Sequence, residues 1–211
     1  NPKSPLLRDA EIITQADVLL LESTYGDRDH KPLENTLVEL RETLAEAAEN
    51  GGNVIIPAFA IGRSQDLIYW LGKLQRQGGL PQQPIFLDSP MAISASKIYA
   101  EHSHLFNSDD PEFTKIALKG WQHWLQGLVF SETAEQSMAI NRIVGGAIII
   151  AGSGMCNGGR IRHHLKYNLW RHNAHVIITG YQADGTLGRI LVDGKKKFLK
   201  LLGSEVNVAA K

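Results

Sequence analysis

Cysteine is almost missing from this chain: Cys156 is the only one in 211 residues. A single thiol excludes an intrachain disulfide and any cysteine-built zinc site, and it suits a reducing, cytoplasmic setting. A surplus of either charge is lacking too. Lys plus Arg and Asp plus Glu are both 22, so the formal net charge is zero. That balance excludes a general basic coat, and any grip on a polyanion must come from placed residues. No apolar run is long enough to span a bilayer, and no positive stretch followed by an apolar one opens the chain. Membrane insertion and secretion are therefore not expected. Fixed-period repeats and low-complexity stretches are also absent. What remains, 43% hydrophobic and 21% charged, is the make-up of one large globular domain, with or without flanking pieces.

The organising pattern is a short β-branched apolar run, then a turn with Gly, Ser or Pro, then helical periodicity. Runs at Val18 to Leu21, Val54 to Ile56, Ile85 to Leu87, Ala147 to Ile150 and Val176 to Thr179 are expected strands. Helices are expected over Leu33 to Asn50, from about Ser64, from about Ala92, over Asp109 to Gln126 and from about Gly159. Continuous apolar strands alternating with amphipathic helices predict an α/β fold, a mainly parallel sheet with helices on both faces. The tail after Gly194 reads as the start of a β-hairpin that the chain does not complete.

In an open parallel sheet, loops leaving the carboxyl ends of the strands gather on one side, and ligands bind there. The most informative of them runs from Gly152 through Ser153, Gly154, Met155, Cys156, Asn157, Gly158 and Gly159 to Arg160. Glycines let backbone approach a ligand, and the next helix offers unpaired N–H groups, so phosphate is a natural guest. The same glycines also fit a bare, tight strand-to-helix crossing. The loop has neither the Gly-Lys-Ser/Thr of a nucleotide P-loop nor a complete dinucleotide fingerprint, which makes an unrelated nucleotide-binding domain the weaker alternative. Ile61-Gly62-Arg63-Ser64 is a second such turn, whose guanidinium suits a phosphodiester. The competing reading pairs Arg63 with Asp66, leaving Ser64 as the helix cap. Glu22 is either solvent-reaching or a turn cap, and Asp88 reads as a turn former with Ser89-Pro90. His163 and His164 are neighbours on a helix, point to different faces and cannot chelate one ion together. The His102-Ser103-His104 run lacks an Asp-His pair after it, so no metal site is expected within the chain.

Five stretches occur in register along the chain: LLLESTYGDRDH (19–30), IPAFAIGRSQDL (56–67), DSPMAI (88–93), GSGMCNGGRIRHHL (152–165) and ITGYQADGTLGRIL (178–191). Together they resemble the metallo-β-lactamase/β-CASP nucleases, a group that includes the 3′-end-processing endonuclease of eukaryotic pre-mRNA and related bacterial and archaeal ribonucleases. The resemblance implies a two-part enzyme in which a metallo-β-lactamase domain holds two zinc ions and an inserted β-CASP domain forms the lid of an RNA-cutting cleft. By analogy, residues 27–187 are the β-CASP domain, 1–26 an edge of the metallo-β-lactamase αββα domain and 188–211 the return segment into it. The zinc ligands then fall before Asn1 and after Lys211. Zinc is implied for the complete enzyme and not expected in this chain, which reads as inactive alone.

RNA, or single-stranded nucleic acid generally, is the implied partner, no membrane is, and a homodimer is left open. Phosphate contacts are expected from Arg63, Ser64, Ser153, Gly154, Met155, Gly158, Gly159, Arg160, Thr186 and Arg189. Glu22 matches the family's acidic motif and is the expected catalytic carboxylate. In such enzymes it supports a histidine beside the scissile phosphate. No histidine follows His175, and Arg189 stands in the nearby GTLGRIL stretch. A homologue that binds RNA or a protein partner without cutting is the second reading.

Overall fold

The computed structural model describes residues 6–27, 29–81, 84–107, 116 and 119–211. Its centre is a five-stranded sheet of β1 (Val54–Pro57), β2 (Ile85–Asp88), β3 (Leu128–Phe130), β4 (Ile148–Ala151) and β5 (His175–Val176), ordered β3-β2-β4-β1-β5. Every neighbouring pair is parallel. Helices α1 (Leu33–Glu49), α2 (Arg63–Arg76), α3 (Pro90–Glu101) and α4 (Trp121–Trp124) precede β3. The second half carries α5 (Ala134–Ile140), α6 (Ile161–Asn168) and α7 (Leu187–Asp193), then a hairpin of β6 (Phe198–Leu201) and β7 (Ser204–Asn207).

Successive strand residues point to opposite faces, so unbroken Val/Ile runs need cover on both. Val54, Ile56, Ile85, Leu87, Ile148 and Ile150 pack in one cluster with residues of α1 to α4. On the other face Ile55 and Ala151 pack with Ile161, Leu165 and Leu169 of the α6 region and with Leu199, Leu201 and Val206 of the hairpin. Ile149 and Phe86 are covered there by Ile140 at the end of α5. The expected α/β class is therefore what forms. None of the described helices is long and apolar enough to cross a membrane.

Several local expectations change. The run at Val18 to Leu21 is not a strand: it is irregular, and Leu20 is 94% exposed. Its composition has strand propensity, but a strand exists only when a neighbour completes its ladder, and no described strand pairs with it. An edge strand, β3, forms just beyond the helix expected over Asp109 to Gln126, where no strand was expected. Of that helix (109–126), residues 109–115 and 117–118 lie outside the described residues, and the short α4 belongs to its end. The strand at Val176 to Thr179 shortens to β5, although Ile177 N–H still donates to the Ile55 carbonyl (3.0 Å). The C-terminal hairpin is complete. Leu202 and Gly203 at its turn both have positive φ, 49° and 80°, which matches the twist of a tight two-residue connection. The cap of α2 is Gly62 rather than Ser64, while Ser89 caps α3 with Pro90 in its first position.

The helix layer is held by a stacked pair of aromatic rings. Trp124 stacks on Tyr69 with ring centroids 5.5 Å apart, and its Nε1–H donates to the Tyr69 carbonyl (3.2 Å). Gly72 of α2 lies under that indole, and a Cβ there would sit 2.3 Å from Trp124 Nε1. Helix propensity alone favours Gly72→Ala by about 1 kcal/mol; overpacking a filled core costs about 1–3 kcal/mol. The variant should lower the denaturant midpoint, and a rise in that midpoint would show that the indole yields freely.

Candidate functional site

The strand register decides which loops meet. Pro57, Ala151 and Asp88 end β1, β4 and β2 in one row, because Pro57 pairs with Ala151 and Ala151 with Asp88. β4 is central, so its glycine-rich loop emerges between the turn carrying Arg63 and the turn carrying Ser89. The loop after β5 closes the other side.

Asp88 is not the turn former that its Asp-Ser-Pro context suggests. It is wholly buried, and three side chains converge on its carboxylate. Arg160 donates to Oδ1 (2.7 Å), while Ser137 Oγ and His164 Nε2 approach Oδ2 at 2.6 Å each. An ionised carboxylate only accepts, so Nε2 is the protonated nitrogen of His164. Burial pushes the Asp88 carboxyl up, but hydrogen bonds from His164 and Ser137 outweigh it and hold it at about 2. The network runs on through the His164 carbonyl to Asn168 (2.9 Å) and from Asn168 to Asn53 (3.0 Å). The start of β1, the end of β2 and the buried face of α6 are thereby tied by polar bonds.

Arg160, expected at a phosphate, is committed elsewhere. Besides Asp88 its guanidinium donates to the carbonyls of Ser131 (2.9 Å) and Glu132 (2.9 Å). Its terminal nitrogens fasten the loop to the segment after β3, so it acts as a staple beneath the site.

The glycine-rich loop is held on all sides. Ser153 N–H donates to the Gly158 carbonyl and Gly158 N–H to Ser153 Oγ, both at 3.2 Å. These two expected phosphate donors are thus spent inside the loop. Gln182 donates to the Gly154 carbonyl (3.0 Å), Gly188 N–H to the Met155 carbonyl (3.0 Å) and Leu187 N–H to Asn157 Oδ1 (2.9 Å). Gly154 lies against Phe59, whose ring would be 2.8 Å from an added Cβ. Gly159 has φ of 73° and would bring a Cβ within 2.3 Å of the Gly152 carbonyl oxygen. Both glycines are thus required by close packing, while Gly158 faces open space. Cys156 is a buried filler with positive φ, and burial pushes its thiol up to about 12.

Arg63 opens α2 at the same end of the sheet and is about half exposed. Its ion pair with Asp66 is 3.9 Å long, too loose to consume the guanidinium. Burial pushes the Asp66 carboxyl up to about 6 against the opposing pull of Arg63. Ser64 is buried and its hydroxyl donates to the Phe59 carbonyl (2.7 Å), so it shapes the turn instead of facing a ligand. Gln65, overlooked in the sequence, is its partner in this. Its amide nitrogen reaches Ala60, Ala92 and Ser96, and its oxygen accepts from Gly62 N–H (2.8 Å). Thr186 caps α7, accepting from Arg189 N–H (3.2 Å) and donating to the Ala183 carbonyl (2.7 Å). Arg189 pairs with Asp193 (2.9 Å). Glu22 is exposed and accepts from Thr24 N–H (2.9 Å), which lowers its carboxyl from the ordinary range. Its turn approaches the loop after β5 through Tyr25, whose ring lies 5.9 Å from that of Tyr181.

The roles of Asp88 and His164 were missed in the sequence, although one signal bears on His164: the spacing Ile161, His164, Leu165, Asn168 marks a buried helix face, and a histidine there needs a partner. That the partner is Asp88 follows only from the β2–β4 pairing. Among the described residues no group of three or more His, Cys, Asp or Glu is placed to hold a metal ion. The zinc pair implied by the sequence resemblance does not fit the described donors.

The fold and the site define a parallel α/β domain with a polar, loop-built site at the carboxyl edge of its sheet. Residues 64–191 match the Beta-Casp domain. A ribonuclease of Thermus thermophilus is 37% identical over 211 residues, covering 100% of this chain and 48% of that protein. An RNase J-like protein of Methanocaldococcus jannaschii is 37% identical over 187 residues, 88% of this chain and 42% of that one. The transcription termination factor FttA of Methanosarcina mazei is 32% identical over 188 residues, 87% of this chain and 29% of that one. The chain belongs to the β-CASP family of metallo-β-lactamase nucleases, and spans about half the length or less of these relatives.

The two shifted carboxylates predict opposite pH effects. Asp88 titrates at about 2 when folded against 3.8 when free, so its contribution to stability is complete above pH about 4 and lost as pH falls toward 2. Asp88→Asn should cost on the order of 3 kcal/mol at neutral pH, since Arg160 loses a buried counter-charge, and should flatten the acid limb of the stability curve. Asp66, raised to about 6 from 3.8, disfavours folding increasingly as pH rises through that interval. Asp66→Asn should therefore stabilise the chain above pH about 6 and matter little below 4. Denaturant melts of both variants across pH check the signs.

Proposed function

We propose that this chain is the substrate-gripping part of a ribonuclease that hydrolyses RNA phosphodiester bonds. The observation that carries this reading is the adjacency of two loops. β1 and β4 pair directly, so the turn bearing Arg63 and the braced glycine-rich loop leave the sheet side by side, in a chain whose family relatives include proteins named ribonucleases. Arg63 supplies an uncommitted cation at the rim. The glycine-rich loop supplies backbone held in place by Gln182, Asn157 and Phe59, with no reorganisation needed when a strand arrives. We assign residues 27–187 to the β-CASP domain and 1–26 and 188–211 to edges of the metallo-β-lactamase domain. In the complete polypeptide the metal, zinc by analogy, would be held by donors other than those described here. Glu22, on the turn beside Tyr181, is our choice of catalytic carboxylate, and the cytoplasm our expected compartment.

The test uses the intact polypeptide and single-stranded RNA. Cleavage that stops with a chelator and returns with added metal is the expected result; binding without cleavage under all metal conditions would favour a silent RNA-binding relative. Arg63→Ala should weaken RNA binding evenly across sequences and flatten the log–log salt dependence by about one unit. Arg63→Lys should restore only part. The loose pair with Asp66 limits the stability cost to about 0–1 kcal/mol. Unchanged RNA affinity at low and moderate salt would remove Arg63 from the site.

A further inference from the structure

Helix α6 leads away from the glycine-rich loop and carries two unlike faces. With about 100° between successive residues, Ile161, His164, Leu165 and Asn168 share the buried face. His163, Tyr167 and Trp170 stand at the spacings i, i+4 and i+7 on the opposite side, where all three are exposed. The helical path extends to them, since Leu169 keeps helical dihedrals and its N–H donates to the Leu165 carbonyl (2.9 Å). Tyr167 is 43% and Trp170 54% exposed, an unusual outlay of aromatic surface for a helix whose core positions are already filled.

The charge along the chain through this stripe is one-sided. Lys166 and Arg171 flank it, one on each side by helical angle. Arg171 is pinned against the indole, its guanidinium carbon 4.9 Å from the Trp170 ring centre, by bonds to the carbonyls of Tyr167 (3.1 Å) and Val144 (2.7 Å). From Gln136 to Ala183 the sequence contains no Asp or Glu, whereas Arg142, Arg160, Arg162, Lys166 and Arg171 all fall there. Among the described residues, Arg160 alone of these is neutralised by a buried carboxylate, that of Asp88. In a chain of zero net charge, so long an acid-free segment concentrates positive potential on α6 and its surroundings.

Exposed aromatic rings bordered by fixed cations are the combination that binds unpaired nucleotides: bases stack on the rings and phosphates meet the cations. We propose that His163, Tyr167 and Trp170 form a stacking platform for single-stranded RNA, which extends the strand's path from the glycine-rich loop along α6. The stripe is about 10 Å long, matching a short run of stacked bases with Tyr167 and Trp170 as the two supports. Arg171 backs one indole face and strengthens stacking on the other. This proposal rests on the RNA reading above and concerns strands longer than the loop site itself can hold.

The experiment measures binding of a labelled tetranucleotide and a long oligouridine to the intact polypeptide by fluorescence anisotropy. Trp170→Ala and Tyr167→Ala should each weaken the long strand about tenfold and leave the tetranucleotide unchanged, whereas Arg63→Ala should weaken both. Trp170→Phe should restore most of the loss, and Lys166→Ala should lower the salt slope for the long strand by about one unit. Melting temperatures of the exposed-residue variants should match the unsubstituted protein. Thiouridine-substituted long RNA should photo-crosslink to the peptide containing Tyr167 and Trp170, a readout independent of any variant. If the long strand binds the two aromatic variants as tightly as the parent while Arg63→Ala still weakens it, the platform is wrong and the loop site stands. If the parent binds neither strand, the RNA reading fails and the platform with it. Unchanged RNA affinity together with an altered sedimentation coefficient would make the stripe a protein contact and overturn the proposal.

Discussion

Burying a carboxylate at the end of a parallel strand is costly unless every oxygen finds donors, and Asp88 meets that condition with residues from three separate segments. Arg160 comes from the end of the glycine-rich loop, His164 from the helix after it and Ser137 from α5. None of them is near Asp88 in sequence, so the network closes only when β2 and β4 pair. The loop that follows β4 then has one position open to it. Its far end is nailed down by Arg160, its near end by the strand, and its middle by Phe59, Gln182 and Asn157.

The same arrangement explains why so few of the expected phosphate ligands keep free donors. A loop that must present backbone to a ligand also has to be rigid, and rigidity is obtained by spending hydrogen-bonding groups internally. Ser153, Gly158, Arg160, Ser64 and Thr186 are all used in this way. Arg63 is the exception among the named side chains, half exposed and only loosely paired with Asp66. Strand order sets the neighbourhood, the buried polar bonds set the loop's shape, and a small number of uncommitted groups remain for chemistry.

Helix α6 shows the division most plainly. Its inner face mixes Ile161 and Leu165 with His164 and Asn168, so one packing surface carries both apolar burial and the polar ties to Asp88 and Asn53. Its outer face is left to His163, Tyr167 and Trp170. One helix therefore transmits the placement of the Asp88 network to an exposed surface that begins where the glycine-rich loop ends.

The α/β class was legible in the sequence because periodicity is local: unbroken apolar runs at 54, 85 and 148, each followed by an amphipathic stretch, need no partner to be recognised. The family was legible for a related reason, since its motifs are short and lie at those same strand ends. The apolar run at Val18 to Leu21 was read as a strand from the same signal, yet a strand requires a second strand, and propensity carries no information about one. The Asp88 turn, the Arg160 ligand and the Ser64 cap changed meaning because burial and pairing are properties of distant residues brought together. By itself, then, the sequence determined four of the five strands of the central sheet, the helices that follow three of them, and which loops are rich in glycine and arginine. Tertiary structure alone decided which of those arginines are bound to a buried carboxylate and which still face water, because that depends on a strand register that brings together residues as distant as Arg160 and Asp88, 72 positions apart.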